Sequence, residues 1–70
     1  MQREVERFAA EEPNGNRHMI SCVQEFKKTA GQGWIPESRH FRTAEGVFLK
    51  MLDDCTFRIL GSGRMLRRRN

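Results

Sequence analysis

Seventy residues, 37% of them apolar and 31% charged, suffice for one small domain spanning residues 1–70, with a core near the lower limit for independent folding. Thirteen Lys and Arg against nine Asp and Glu leave a net charge of +4, which favours anionic partners and selects none of them. No run of about 18 apolar residues exists to form a spanning helix, and MQREVERFAAEE lacks the apolar stretch of a signal peptide, so a cytoplasmic chain with reduced Cys22 and Cys55 is expected.

The first strong local signal is Pro13-Asn14-Gly15-Asn16. Asn-Gly tolerates the positive φ values of a two-residue hairpin turn. With Asn14 and Gly15 as the turn, Glu12 opposes Arg17, Glu11 opposes His18 and Ala9 opposes Ile20. Val5, Ala9, Ile20, Cys22 and Phe26 then share one face, and Phe8, Ala10, Met19 and Val23 the other. The rival reading is a helix over residues 2–11, where good helix formers set Val5, Phe8 and Ala9 on one stripe. The hairpin is preferred because Ile20-Ser21-Cys22-Val23 needs a strand partner.

Residues 27–38, KKTAGQGWIPES, read as a loop broken by Gly and Pro. Trp34 stands out in it, and its expected use is a plug at one open end of a barrel. From Ser38 onward, three turns agree with a period of two. Ala44-Glu45-Gly46 sets Phe41 against Leu49 and Arg39 against Met51. Asp53-Asp54-Cys55 sets Met51 against Phe57 and Leu49 against Ile59. Gly61-Ser62-Gly63 sets Ile59 against Met65. Phe41, Val47, Leu49, Met51, Phe57, Ile59 and Met65 thereby share one face. Lys50, Thr56, Arg58, Arg64 and Arg68 share the other with Phe48, Leu52, Leu60 and Leu66. The fold expected is all-β: a small antiparallel barrel or strongly bent sheet of five or six strands, with an α+β arrangement carrying the 2–11 helix as the alternative.

The runs VERFAAEEPNGNRHMISCVQEF and FRTAEGVFLKMLDDCTFRILGSGRMLRR, joined through a Trp-containing loop, resemble short bacterial proteins of about this length. The likeness covers most of the chain, and its motifs are turn-and-strand signatures. It implies strands across residues 4–26 and adds nothing on activity.

Catalytic and cofactor chemistry is not expected. Cys22, Cys55, His18 and His40 include no Cys-x-x-Cys or His-x-x-x-His pair of the kind zinc sites show. Ser21, Ser38 and Ser62 lie in no nucleophile motif. Gly61-Ser62-Gly63 precedes no helix, so a hairpin loop is expected rather than a phosphate cradle. No cofactor, metal or membrane partner is implied. The main expectation is a non-catalytic interaction module, binding a protein partner or a second copy through Trp34, Phe48, Leu52, Leu60 and Leu66. The second is nucleic-acid binding, because residues 1–38 hold five basic and six acidic groups and residues 39–70 hold eight and three. Its candidates are Lys50, Arg58, Arg64, Arg67, Arg68 and Arg69, with Phe48 as a stacking platform.

Overall fold

The computed structural model describes residues Met1–Arg69. Six antiparallel strands follow one another in chain order: β1 (Gln2–Glu11), β2 (Arg17–Thr29), β3 (Gly33–Thr43), β4 (Phe48–Met51), β5 (Thr56–Ile59) and β6 (Met65–Arg68). They close into a barrel in the order β1-β2-β3-β4-β5-β6. Closure rests on Ala10 paired with Arg68 and Glu11 with Arg67, extended by the Arg69 amide donating to the Ala9 carbonyl at 2.9 Å. Residues 2–11 are strand, not helix. The helix formers there yield to a ladder with β2, interrupted by one bulge between Glu4 and Glu6, which pairs the backbone and buries Phe8 and Ala10.

The first turn differs from the expected one by a single residue. Glu12, not Pro13, faces Asn16: the Glu12 amide donates to the Asn16 carbonyl at 2.8 Å and the Gly15 amide to the Glu12 carbonyl at 2.9 Å. Only Gly15 takes positive φ, at 91°, while Asn14 does not. The Asn14 side chain instead accepts from the Asn16 amide at 3.0 Å. The three-residue loop thus places left-handed backbone on the residue without a Cβ. Every β1 pairing shifts with it. Phe8 faces Ile20, Ala9 faces Met19 and Glu11 faces Arg17. Since strand side chains alternate, that slip moves Phe8 and Ala10 into the core beside Ile20 and Cys22.

The next two turns sit where their spacing puts them, with Phe41 opposite Leu49, Leu49 opposite Ile59 and Met51 opposite Phe57. The last does not. The Ile59 amide donates to the Arg64 carbonyl at 2.8 Å and the Ile59 carbonyl accepts from the Gly63 amide at 2.9 Å across a four-residue loop, so Arg58 faces Met65 and Phe57 faces Leu66. Leu66 therefore points inward and is 1% exposed.

The core is Phe8, Ala10, Ile20, Leu49, Phe57, Ile59 and Leu66, with Phe41 packed against it. The rings of Phe8, Phe41 and Phe57 meet in three pairs with centroids 5.0 to 6.3 Å apart. Such pairs contribute roughly 0.5–1.5 kcal/mol each beyond the area they bury.

Strand length shapes the rest. β1, β2 and β3 have 10, 13 and 11 residues, whereas β4, β5 and β6 have four each. The long strands outrun the barrel, and the molecule measures 49 × 25 × 22 Å. Residues 27–38 are consequently not a loop. β2 and β3 continue as a ribbon through Lys28 opposite Trp34 to Thr29 opposite Gly33, and only Ala30-Gly31-Gln32 turn the chain. Trp34 lies near the tip of this ribbon, half-exposed, and plugs no barrel end.

Candidate nucleic-acid interface

Alternation sends the residues between the core positions to the barrel's outside. On β3 and β4, Arg42 pairs with Phe48; on β4 and β5, Lys50 pairs with Arg58. The Leu60 amide donates to the Phe48 carbonyl at 3.1 Å, which sets these two residues side by side. On β5 and β6, Thr56 pairs with Arg67. Arg42, Phe48, Lys50, Arg58, Leu60 and Arg67 thus form one outer surface across four strands. Phe48 is 51% and Leu60 52% exposed. The His40 ring meets Phe48 edge-on, with centroids 5.4 Å apart, and its Nδ1 lies 3.6 Å from Glu25.

The six basic candidates divide into two sets. Arg64, Arg68 and Arg69 hold carboxylates. Arg64 reaches Glu12, Arg69 reaches Glu11 and Arg68 reaches Glu6. Arg68 follows Leu66 inward, and its guanidinium lies over the Phe8 ring, 4.2 Å from the centroid. The expected place of Arg68 and Leu66 on the outer face is corrected by the four-residue last loop. Lys50, Arg58 and Arg67 remain outside, and among the described residues none of them forms an ion pair.

The ion pairs of the first set act as a seam. Glu12 is almost wholly buried, accepts from His18 Nε2 at 2.8 Å and meets Arg64. Its carboxyl is held below its ordinary value, first by the His18 hydrogen bond and then, against the opposing effect of burial, by the Arg64 charge. Glu11 sits 3.4 Å from Nε of both Arg17 and Arg69. These contacts tie the β1–β2 turn to β6 where the barrel closes. They are structural uses of charge that engage Arg64, Arg68 and Arg69 within the chain.

Arg42 is the outer-face cation that sequence reasoning missed. Its signal was its pairing with Phe48 across the Ala44-Glu45-Gly46 turn. Arg42 also bears on Glu4, whose carboxyl is lowered mainly by the Ser21 hydroxyl and Arg7 and to a lesser degree by Arg42. Of the proposed apolar contacts, Trp34, Phe48, Leu52 and Leu60 are exposed, whereas Leu66 is in the core. Leu52 stands 39% exposed past the end of β4, and Trp34 lies on the ribbon. The structure therefore joins Phe48 and Leu60, and leaves Trp34 separate from them.

The cysteines lie apart in environment: Cys22 is buried on the inner face and Cys55 is partly exposed in the β4–β5 turn. Among the described residues no helix is long and apolar enough to cross a membrane. No family model matches the chain, and neither a curated protein nor a solved structure matches it.

Proposed function

We propose that this chain is a non-catalytic binding module that holds single-stranded nucleic acid on the outer face of β3, β4 and β5. The observation that carries the reading is the pairing of Lys50 with Arg58 next to the half-exposed Phe48. Like charges placed directly opposite each other on a sheet cost stability. A phosphate between them offsets that cost, and an exposed ring beside them offers a base a stacking surface whatever its sequence. Arg42 and Arg67 widen the basic surface on either side.

The test is anisotropy of a labelled oligothymidylate titrated at two salt concentrations. Contacts with three or four phosphates predict a slope of log K against log salt of about −2 to −3 for a single strand. Lys50→Ala with Arg58→Ala should flatten it by about 1.4, whereas Arg64→Ala, which removes a seam cation, should leave the slope unchanged. Absence of binding at about 50 mM salt, where electrostatic contacts are strongest, overturns the reading.

A second reading has its own observation. Phe48 and Leu60 are adjacent, apolar and half-exposed, which suits a protein partner or a second copy of the chain, with Leu52 and Trp34 as further contacts. Sedimentation across a concentration series separates the two: a dimer lost on Leu60→Asp favours association, and a strict monomer that binds the oligonucleotide favours the first.

A further inference from the structure

β3 and β4 pair only at Phe41–Leu49 and Arg42–Phe48. Arg39 and Met51, expected to face each other, are not paired. The strands separate there because β4 ends at Met51 and the chain turns into β5, while β3 belongs to the long ribbon. The gap opens a cleft of 710 Å³ into the barrel, within the range of small-molecule sites, which often lie in barrel mouths. Its apolar lining includes Cys22, Phe41, Leu49, Met51 and Phe57. Cys22, Leu49 and Phe57 are buried, so the floor of the cleft is the edge of the barrel interior.

One cation at this cleft is held in place by a buried amide. Gln24, 7% exposed, donates through Nε2 to the carbonyls of Glu25 and Ser38 at 3.0 and 3.1 Å. Those bonds fix its Oε1, which accepts from Arg39 Nε at 2.6 Å. Arg39 meets no carboxylate in any ion pair among the described residues, so its Nη groups remain for a ligand. The other charged groups at the cleft leave this cation unanswered. Glu6 is taken by Arg68, and the remaining titratable side chains are His40, Lys50 and a single further carboxylate, Asp54.

We propose that the cleft binds a small amphipathic carboxylate, its apolar body against Phe41, Leu49 and Met51 and its carboxylate on the Arg39 guanidinium. An oriented planar fork suits a carboxylate, because two parallel N–H donors meet its two oxygens. The apolar lining supplies the driving force and the single fork supplies the selectivity. The cleft borders the outer face at Lys50 and Leu60, but the anchor does not lie on it, since neither Arg39 nor Gln24 belongs to that surface.

The experiment is a titration of the ¹⁵N-labelled chain with sodium decanoate below its micelle concentration, followed through amide shifts, with decan-1-ol as the uncharged control. Saturable shifts centred on Cys22, Phe41 and Leu49 are expected, with decanoate at least about tenfold tighter than decanol, the usual worth of a charge-assisted bond. Arg39→Gln should remove that advantage and leave decanol binding unchanged. Arg39→Lys, which keeps the charge without the fork, should retain only part of it. Equal affinity for decanoate and decanol, an Arg39→Gln protein that binds decanoate as the parent does, or shifts that never saturate would each overturn the proposal.

Discussion

Replacing Leu66 with alanine tests the four-residue last turn that sets the faces of β6. Leu66 is 1% exposed and packs within the core, whereas Leu60 at the start of that turn is 52% exposed. Truncating a fully buried leucine costs roughly 2–5 kcal/mol, comprising lost burial and the cavity left behind. The same change at a half-exposed position costs less than about 1 kcal/mol. A domain of this size has only roughly 3.5–10 kcal/mol of stability in total, at the usual value per residue. Leu66→Ala therefore consumes a large share of it. With a urea dependence of about 1 kcal/mol per molar for so small a protein, the unfolding midpoint should fall by about 2 M or more. Leu60→Ala should move it by less than about 1 M. Urea titrations monitored by far-ultraviolet circular dichroism measure both. A larger cost at Met65 than at Leu66 would refute the register, because that is the order a three-residue Gly61-Ser62-Gly63 loop predicts.

Gly15 holds φ at +91° whereas Gly31 is not in the left-handed region and has open space around its Cα, so Gly15→Ala should cost about 1–2 kcal/mol and Gly31→Ala less than about 0.5 kcal/mol; thermal melts report the difference. Stability should fall in acid. The Glu12 carboxyl is held below its ordinary value of 4.5, first by its bond with His18, and Glu4 and Asp53 are lowered too. A lowered folded-state pKa means the stabilisation is complete above about 4.5, the unfolded value, and is lost as pH falls through the folded one. Urea midpoints measured from pH 7 to pH 2 should decline below that point, and Glu12→Gln should make the decline shallower. The thiols should differ: Cys55 should react with a thiol reagent in the native state, and Cys22, 2% exposed and with its pKa raised by burial, should react only on unfolding. Equal native rates would contradict the inward placement of Cys22.

The sequence carried the fold class because its turns are chemically explicit. Ala44-Glu45-Gly46 and Asp53-Asp54-Cys55 lie between residues of matching character, and both registers follow from counting. The two that slipped did so for local reasons. Pro13-Asn14-Gly15 is compatible with a two- or a three-residue loop, and the choice is made by whether Phe8 or Ala9 fills the core opposite Phe57 and Phe41. Leu60-Gly61-Ser62-Gly63 carries two glycines, both with positive φ, so a loop one residue longer costs little strain. Each slip inverts a strand: Phe8 and Leu66 came inside, and Arg68 followed Leu66. The ribbon from Lys27 to Pro36 was hidden because Gly and Pro usually end strands. Here the ribbon has free edges on which Pro36 leaves no unpaired donor. On the candidate site, Phe48, Lys50 and Arg58 were legible from alternation alone. The engagement of Arg64, Arg68 and Arg69 with Glu12, Glu6 and Glu11 was not, since those contacts cross the barrel closure between the two ends of the chain. The Gln24–Arg39 contact was equally hidden, because it follows from the β2–β3 register and residues 27–38 read as a loop.

If single strands lie on the outer face of β3, β4 and β5, amide shift mapping with an unlabelled oligothymidylate should show perturbations concentrated at Arg42, Phe48, Lys50 and Arg58, with the inner residues Ile20 and Phe57 unmoved. Perturbations confined to the Arg67–Arg69 segment, or none at all at low salt, would contradict it.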